Sequence, residues 1–460
     1  MFTDIKTINS NNPKNKQVSF TNISAFNTVA NIESNILLNK GITDIGGFVV
    51  PQAIMSNNKD ESIERVFKSA LYFLMTFASP IILLPLFNKK ALKHFKITEN
   101  FKNEEKKILE VSKKYLSKDG EYLKEGIKLK SQELFGNKNG FNSILERYGN
   151  DTEKLRKDLI NAHTAIHFTD FLTTNLMVAS IPWLGNILTQ YRTKRSGYSG
   201  AYKIADEEFT KKAAQERDKT KKIRLAATAG LAILPSIILP PLIKKGMLYG
   251  PASKNKIYKW FNKHAENFDY KKAIYMSRLT ALAMWITSDY LPYQLACRDK
   301  YEYKDTVIRG TSIGLVFWGG DLVLKKLFAK ISDRLFKTNL MNKEKNRPYT
   351  ISELKNYKNI DSLKNISENM MRRTQKASVG LYIFNLALIM ATLGFGLPIT
   401  LNKILKARIE TDKKDNPKNN IDVNLSNKPS ISDFLNKGIA NFSVSDIDIL
   451  KFLKIGSLFK

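Results

Sequence analysis

Long uncharged apolar runs alternate with strongly charged segments along this chain. Four runs of 19 to 26 residues contain no Asp, Glu, Lys or Arg, and they occupy residues 69–87, 171–191, 225–243 and 377–402. Because an α-helix rises 1.5 Å per residue, about 20 residues cross the roughly 30 Å of hydrocarbon in a bilayer. Helices in soluble proteins are usually amphipathic rather than apolar on every face. The four runs therefore predict transmembrane helices.

Two further apolar runs each contain one carboxylate. Residues 279–297 include Asp289, and residues 310–324 include Asp321. Leu and Ile each contribute roughly −0.3 to −0.6 kcal/mol to membrane insertion, whereas a central Asp costs about 2.5 to 3.5 kcal/mol. Asp289 alone therefore cancels its five Leu and Ile neighbours, and this helix is expected to insert only beside partner helices. Together with these two runs, the sequence predicts six transmembrane helices.

The predicted fold is all-α, a polytopic helical transmembrane bundle with a helical extramembrane domain and an amphipathic C-terminal helix. We expect, in order, a polar and partly disordered segment (1–64), a first span (65–88), an extramembrane helical domain (89–157), a transmembrane core (158–330), a basic loop (331–375), a last span (376–405), and a polar linker with a surface helix (406–460). Within the core, spans are expected at about 159–191, 223–245, 275–298 and 307–327.

Amphipathic patterns mark both ends of the chain. Near the C-terminus, apolar residues at 431, 434, 435, 439 and 442 follow helical spacing. That spacing predicts a helix lying on the membrane surface, or alternatively one packed on the chain's own loop domain. Apolar residues at 23, 26, 29, 32 and 36 predict a short amphipathic turn or helix. The sequence before them has no secretory signal pattern.

Short similarities within the chain suggest an internal repeat. The segment at 80–89 resembles 236–245, because each ends an apolar run with prolines and leads into lysines. Asp170 and Asp289 each precede an aromatic residue and a leucine. Internal repeats are frequent in transporter folds. Biased composition in apolar helices offers the alternative explanation, and the loop lengths of the two copies differ.

The net charge of +31, from 74 basic and 43 acidic residues, is distributed over every loop. The excess of basic residues therefore does not orient the helices. An alternative topology has proline-containing runs that re-enter the membrane, with both basic flanks on one anionic leaflet.

We expect a lipid bilayer with anionic lipids as the partner and no nucleic acid, because no basic patch carries stacking aromatics. An oligomer is compatible with the sequence. The lysine and asparagine content favours a bacterial inner membrane.

Four residues are candidates for transport or proton relay: Asp289, Asp170, His167 and Arg309. An ionisable residue inside a membrane segment is a functional-site hypothesis by default, and Asp289 is the eleventh of 19 residues in its run. His167 lies one turn before Asp170, so the two share a helix face. Arg309 is a candidate partner of Asp289, as are Arg298 and Thr287. The alternative for each residue is a structural polar contact.

No nucleotide-binding loop, zinc-protease motif or nucleophile elbow is present. With only Cys297 and four histidines, we expect no metal site and no cofactor. The function expected from the sequence is an integral membrane protein with a transporter- or channel-like bundle. The alternative is a structural or membrane-organising protein that binds anionic lipid through its basic loops and C-terminal helix. A third hypothesis is an intramembrane enzyme using His167 and Asp170, and the sequence favours this hypothesis least.

Overall fold

The computed structural model describes residues 20–97, 108–135, 142–250, 252–269 and 278–415. In these ranges the protein is mostly helical, and its only strands, β1 (Met341–Asn342) and β2 (Arg347–Pro348), form an antiparallel hairpin. The all-α prediction is confirmed. The predicted C-terminal surface helix lies outside the described residues.

Twenty α-helices are described, and several apolar ones continue through π-helical turns. The α-helices are α1 (Phe20–Ser34), α2 (Ile36–Lys40), α3 (Val50–Ile54), α4 (Lys59–Phe73), α5 (Ser79–His94), α6 (Lys113–Leu116), α7 (Gly120–Phe135), α8 (Asn142–Arg147), α9 (Thr152–Thr193), α10 (Glu207–Asp218), α11 (Lys221–Tyr249), α12 (Lys256–Lys263), α13 (Arg278–Trp285), α14 (Leu291–Ala296), α15 (Lys300–Gly314), α16 (Asp321–Phe336), α17 (Ile351–Lys355), α18 (Asp361–Lys364), α19 (Glu368–Ile389) and α20 (Leu397–Asp415). The π-helical segments are Gly41–Val49, Leu74–Ala78, Ile286–Tyr290, Leu315–Gly320 and Met390–Gly396.

Four helices in the described ranges are long and apolar enough to cross a membrane: Lys59–His94, Thr152–Thr193, Lys221–Tyr249 and Glu368–Lys414. Each contains one of the four uncharged runs, so those four predictions are confirmed by length and composition. Four helices, rather than the predicted six, meet this criterion of length and composition. The two runs with Asp289 and Asp321 also form helices, which are not among these four.

The chain divides into two compact units. The central unit is Asn57–Val307, and the split unit combines Met1–Ser56 with Ile308–Lys460. Three of the four long apolar helices belong to the central unit, and the fourth, Glu368–Lys414, belongs to the split unit.

Helix α9 is the longest element of the central unit. Asp151 begins it as an N-cap, accepting a hydrogen bond from the backbone N–H of Lys154 (2.9 Å). Lys194 ends it in the left-handed conformation. Its 42 residues span about 63 Å, twice the thickness of bilayer hydrocarbon. The uncharged run fills only the second half, so the first half is available for packing outside a membrane.

The first half of α9 packs into a tight apolar core. Buried residues of α9 share this core with residues of α6, α7, α8, α12 and the end of α11. Helix α9 contributes Leu155, Leu159 and Ile160, and the other helices contribute Leu116, Leu123, Ile127, Ile144, Met247 and Phe261. This core lies in and beside the region for which the sequence predicted a helical extramembrane domain.

Helices α9 and α11 pack against each other in opposite directions. At one end, Arg156 Nη1 donates to the carbonyl of Met247 (3.3 Å). At the other end, Trp183 Nε1 donates to Thr228 Oγ1 (3.3 Å). These two contacts fix which residues of α11 lie opposite each part of α9.

The split unit begins with helices where the sequence predicted a polar, partly disordered segment. Helix α1 is the amphipathic helix expected there, and its Phe26 and Ala30 are buried in the core of this unit. Residues 36–54 are also helical. A Cβ added at Gly47 would lie 3.1 Å from Leu386 Cδ1, and one added at Gly394 would lie 2.9 Å from the Gly47 carbonyl oxygen. Residues 36–54 pack against the helix that contains Gly394 at this close, glycine-lined crossing. This packing explains why they are helical although composition alone did not predict it.

Candidate functional site

A row of polar side chains is buried along the middle of α9. His163, His167 and Asp170 follow one another at spacings of four and three residues, so they share one helix face. Their exposures are 5%, 1% and 5%. The ring of His167 also contacts Phe171 edge-on, with centroids 5.4 Å apart. The structure thus places the predicted pair His167 and Asp170 in the protein interior and adds His163 to it.

A buried ion pair from outside α9 approaches the two histidines. Lys113, only 1% exposed, lies 3.5 Å from Asp269, which also accepts hydrogen bonds from the Lys113 backbone N–H and the Ser112 hydroxyl. Burial lowers the pKa of Lys113, and the charge of Asp269 partly opposes that shift. Lys113 is close enough to act electrostatically on both His163 and His167. The row on α9 therefore continues into the core that the first half of α9 shares with α6, α7 and α8.

Two further buried polar groups lie between these residues and the far end of α9. The amide of Asn175 and the hydroxyl of Ser236 are 1% and 0% exposed, and neither has a hydrogen-bond partner within the described part of the chain. Because Met247 lies at Arg156 and Thr228 lies at Trp183, Ser236 falls opposite residues 167–175 of α9. His167, Asp170, Asn175 and Ser236 thus occupy the same level of the central unit.

Asp289 lies in the π-helical segment Ile286–Tyr290, which packs against both α9 and α11. Trp285 and Tyr293 both lie close enough to Asp289 to interact with its carboxylate. Of the partners suggested by the sequence, Thr287 donates to the carbonyl of Ala283 (2.9 Å) instead. π-Helical turns inside α-helices occur frequently at functional sites.

Arg309 belongs to the split unit, whereas Asp170, His167 and Asp289 belong to the central unit. Its Nη1 donates to Gln52 Oε1 (2.9 Å), and Gln52 Nε2 donates in turn to the carbonyl of Leu393 (3.1 Å). Gln52 is 5% exposed, so this contact is a buried link between helices of the split unit. The central unit therefore unites three of the four predicted candidates.

A buried charge cluster that the sequence pattern did not predict lies at the other end of the central unit. Arg298 donates to both Glu64 (2.9 Å) and Glu302 (2.9 Å), and Lys68 lies 2.6 Å from Glu64 and 3.8 Å from Glu302. Glu64 and Glu302 are 4% and 7% exposed. The spacing of four between Glu64 and Lys68 and between Arg298 and Glu302 is visible in the sequence. The contact between α4 and Arg298 is not.

Asp299 connects this cluster to the loop after α9. Its carboxylate accepts hydrogen bonds from the backbone N–H groups of Tyr198 (2.6 Å), Tyr301 (2.9 Å) and Glu302 (2.8 Å). Burial raises the pKa of Asp299, the Glu302 charge adds to the shift, and the backbone donors reduce it. The Lys68 ammonium lies 5.9 Å from the centroid of the Tyr293 ring. Lys68 and Tyr293 thus link the charge cluster to the neighbourhood of Asp289.

The central unit therefore contains carboxylates, imidazoles, an amide and a hydroxyl along one bundle of apolar helices. Such groups can hold and pass protons or coordinate a small cation. Among the residues that the structure describes, no three His, Cys, Asp or Glu side chains are grouped to hold a metal ion. The one cysteine, Cys297, is buried and contacts the carbonyl of Tyr293 (3.1 Å). No protein-family model, curated protein or solved structure matches the chain.

Proposed function

We propose that this chain is an integral membrane protein whose central unit conducts or transports protons or small cations. In this proposal the four long apolar helices span the membrane, and the two helical segments at 278–296 and 300–336 accompany them as the fifth and sixth spans. A bacterial inner membrane is the proposed location.

Apolar side chains left exposed along the long helices support the membrane location. In the apolar window of Lys59–His94 only 7% of the residues are buried. Exposed residues include Leu74 (54%), Ile82 (62%), Ile187 (60%) and Ile237 (57%). Many exposed large apolar side chains along long helices are characteristic of membrane or protein contact rather than of a free aqueous surface.

The single observation that carries the transport proposal is the buried polar level of the central unit. An unpartnered buried polar group costs about 1–3 kcal/mol, and more in an apolar medium. Asn175 and Ser236 are two such groups at the level of His167 and Asp170. Polar and ionisable residues retained in this setting mark ion pathways and proton relays. Asp289 lies on a neighbouring segment and extends the polar set.

Reconstitution into liposomes tests this proposal. We expect wild-type protein to carry protons or K⁺ down an imposed gradient, recorded with a trapped pH dye and a potential-sensitive dye. Asp289→Asn and Asp170→Asn should each lower the flux at least tenfold, because each removes an ionisable group from the buried path. Asp361→Asn is the control, since Asp361 is 95% exposed and pairs only with Lys364. Absent wild-type flux, or full flux in both buried variants, would overturn the proposal.

The second candidate is a membrane-organising protein that binds anionic lipid, and the net charge of +31 favours it. The same reconstituted samples distinguish the two. Vesicles that change shape with wild-type protein but carry no ion flux would favour this candidate over transport.

A further inference from the structure

A groove opens on the surface of the central unit where α9 and α11 meet the end of α5. Its lining combines five apolar residues with two polar ones and one lysine, namely Phe95, Ala165, Phe168, Pro240, Pro241, Asn161, Thr164 and Lys244. The end of the groove at Lys244 is called the rim. Phe168 is 41% exposed, although it is large and apolar. The two prolines have no backbone N–H, so this part of the α11 wall presents no hydrogen-bond donor. The groove is therefore mostly apolar, with one amide, one hydroxyl and one cationic group in its lining.

The groove lies where the chain changes from apolar to basic. The uncharged run of α11 ends at residue 243, immediately before Lys244 and Lys245. Helix α5 contributes exposed lysines at 89, 90 and 93 just before Phe95. If α11 spans the bilayer, these lysines lie at the headgroup level and the proline wall lies at the edge of the hydrocarbon.

The charge at the rim has no acidic partner in the described ranges. Lys244 makes no ion pair or hydrogen bond there, in contrast to the compensated charges around Arg298 at the opposite end of α9. A ligand that complements the groove therefore needs a long apolar portion and an anionic head. Phosphate near Lys or Arg at a membrane surface gains about 1 kcal/mol per basic residue, which is about a fivefold change in affinity.

We propose that this groove binds one anionic phospholipid, with an acyl chain along Phe168, Pro240 and Pro241 and its phosphate at Lys244. The proposal rests on the membrane location within the proposed function and is independent of ion transport.

Lipid selectivity in reconstituted protein tests the site. Protein in phosphatidylcholine bilayers receives trace spin-labelled phosphatidylglycerol or phosphatidylcholine, and the motionally restricted fraction of each is measured. Wild-type protein should restrict phosphatidylglycerol preferentially. Lys244→Gln should lower that preference about fivefold, and Ala165→Trp should abolish it by filling the groove without changing charge. Lys222→Gln is the matched control, because Lys222 is an exposed lysine at the other end of the same helix.

The outcomes separate the lipid site from the membrane location. Equal losses in Lys244→Gln and Lys222→Gln, or full preference in Ala165→Trp, would overturn the groove as the binding site. Displacement of the labelled lipid by millimolar inorganic phosphate would assign the site to free anions instead. Protein that restricts neither lipid would overturn the membrane proposal itself, whereas restriction of both lipids to the same extent would overturn only the lipid site.

Discussion

At the scale of single residues, the central unit contrasts two kinds of buried polar group. The cluster of Glu64, Lys68, Arg298 and Glu302 is mutually compensated, so each charge has an opposite neighbour. The amide of Asn175 and the hydroxyl of Ser236 have no hydrogen-bond partner among the described residues. Replacing a compensated buried ion pair by apolar residues of similar volume changes the free energy of unfolding little. Removing only one partner leaves an uncompensated buried charge. Loss of a single member of the cluster is therefore expected to destabilise the fold more than replacement of the whole set.

Arg298→Met should therefore destabilise the protein strongly. It leaves Glu64 and Glu302 buried with Lys68 as their shared partner, and we expect the free energy of unfolding to fall by about 3–5 kcal/mol. Denaturant unfolding of detergent-purified protein measures the change. Arg372→Met is the control, since Arg372 pairs with Glu368 at an exposed site and its loss should cost less than about 1 kcal/mol. Similar losses in the two variants would contradict the cluster's role.

Glu353, in helix α17 of the split unit, should make the stability of the protein depend on pH. Burial alone would raise its pKa, but hydrogen bonds from Arg347, the Thr350 backbone and Lys345 lower the pKa to about 2. The unfolded chain titrates near pH 4.3. The carboxylate therefore contributes stability above that pH, and the contribution is lost as the pH falls toward 2.

Glu353→Gln should lower the free energy of unfolding by about 1 kcal/mol at pH 7, a value reduced for solvent screening of this partly exposed group. Thermal unfolding of wild-type and variant proteins between pH 7 and pH 3 measures the difference. The difference between the two stabilities should begin to shrink near pH 4 and should continue to shrink toward about pH 2. A constant difference down to pH 3 would contradict the assignment.

At the scale of helices, the sequence pattern predicted those elements that are defined by a long run without charged residues. The four uncharged runs became the four long apolar helices, because length and the absence of charge are local properties. The helices at 36–54 were not predicted, because their order depends on Gly47 packing against a helix more than 300 residues later. The π-helical turns were also missed, since no local pattern distinguishes them from regular helix.

At the candidate site, too, local spacing predicted some features, whereas others depend on tertiary packing. The shared face of His167 and Asp170 followed from their spacing alone. The proximity of His167 to Lys113 and the position of Ser236 opposite α9 depend on tertiary packing, as does the contact between Glu64 and Arg298. A pattern on one helix cannot supply such contacts.

Asp289→Leu tests whether the segment at 278–296 is a membrane span that depends on its partners. The isolated segment should insert poorly into a membrane, and replacement of Asp289 should favour insertion by about 3 kcal/mol. A glycosylation reporter for insertion of the isolated segment measures both. Efficient insertion of the unmodified segment would contradict the partner requirement.

At the scale of the whole molecule, α9 gives the sharpest test of topology. If α9 crosses the membrane, the segments before and after it lie on opposite sides. Single cysteines at Glu121 and Lys212 report on these segments, because both side chains are more than 70% exposed. In a Cys297→Ser background, an impermeant thiol reagent applied to sealed vesicles of one orientation should label only one of the two positions. Labelling of both would support the re-entrant alternative and contradict a crossing α9.

The glycine-lined crossing of Gly47 and Gly394 has a consequence for biosynthesis. Its two helices are separated in the chain by the entire central unit. Translation proceeds at about 5–20 residues per second, so the first helix waits on the order of tens of seconds for its partner to leave the ribosome. Until then the glycine-containing surface of the first helix cannot pack against the second helix. The central unit is complete before the split unit can close, so the order of assembly follows from the order of synthesis.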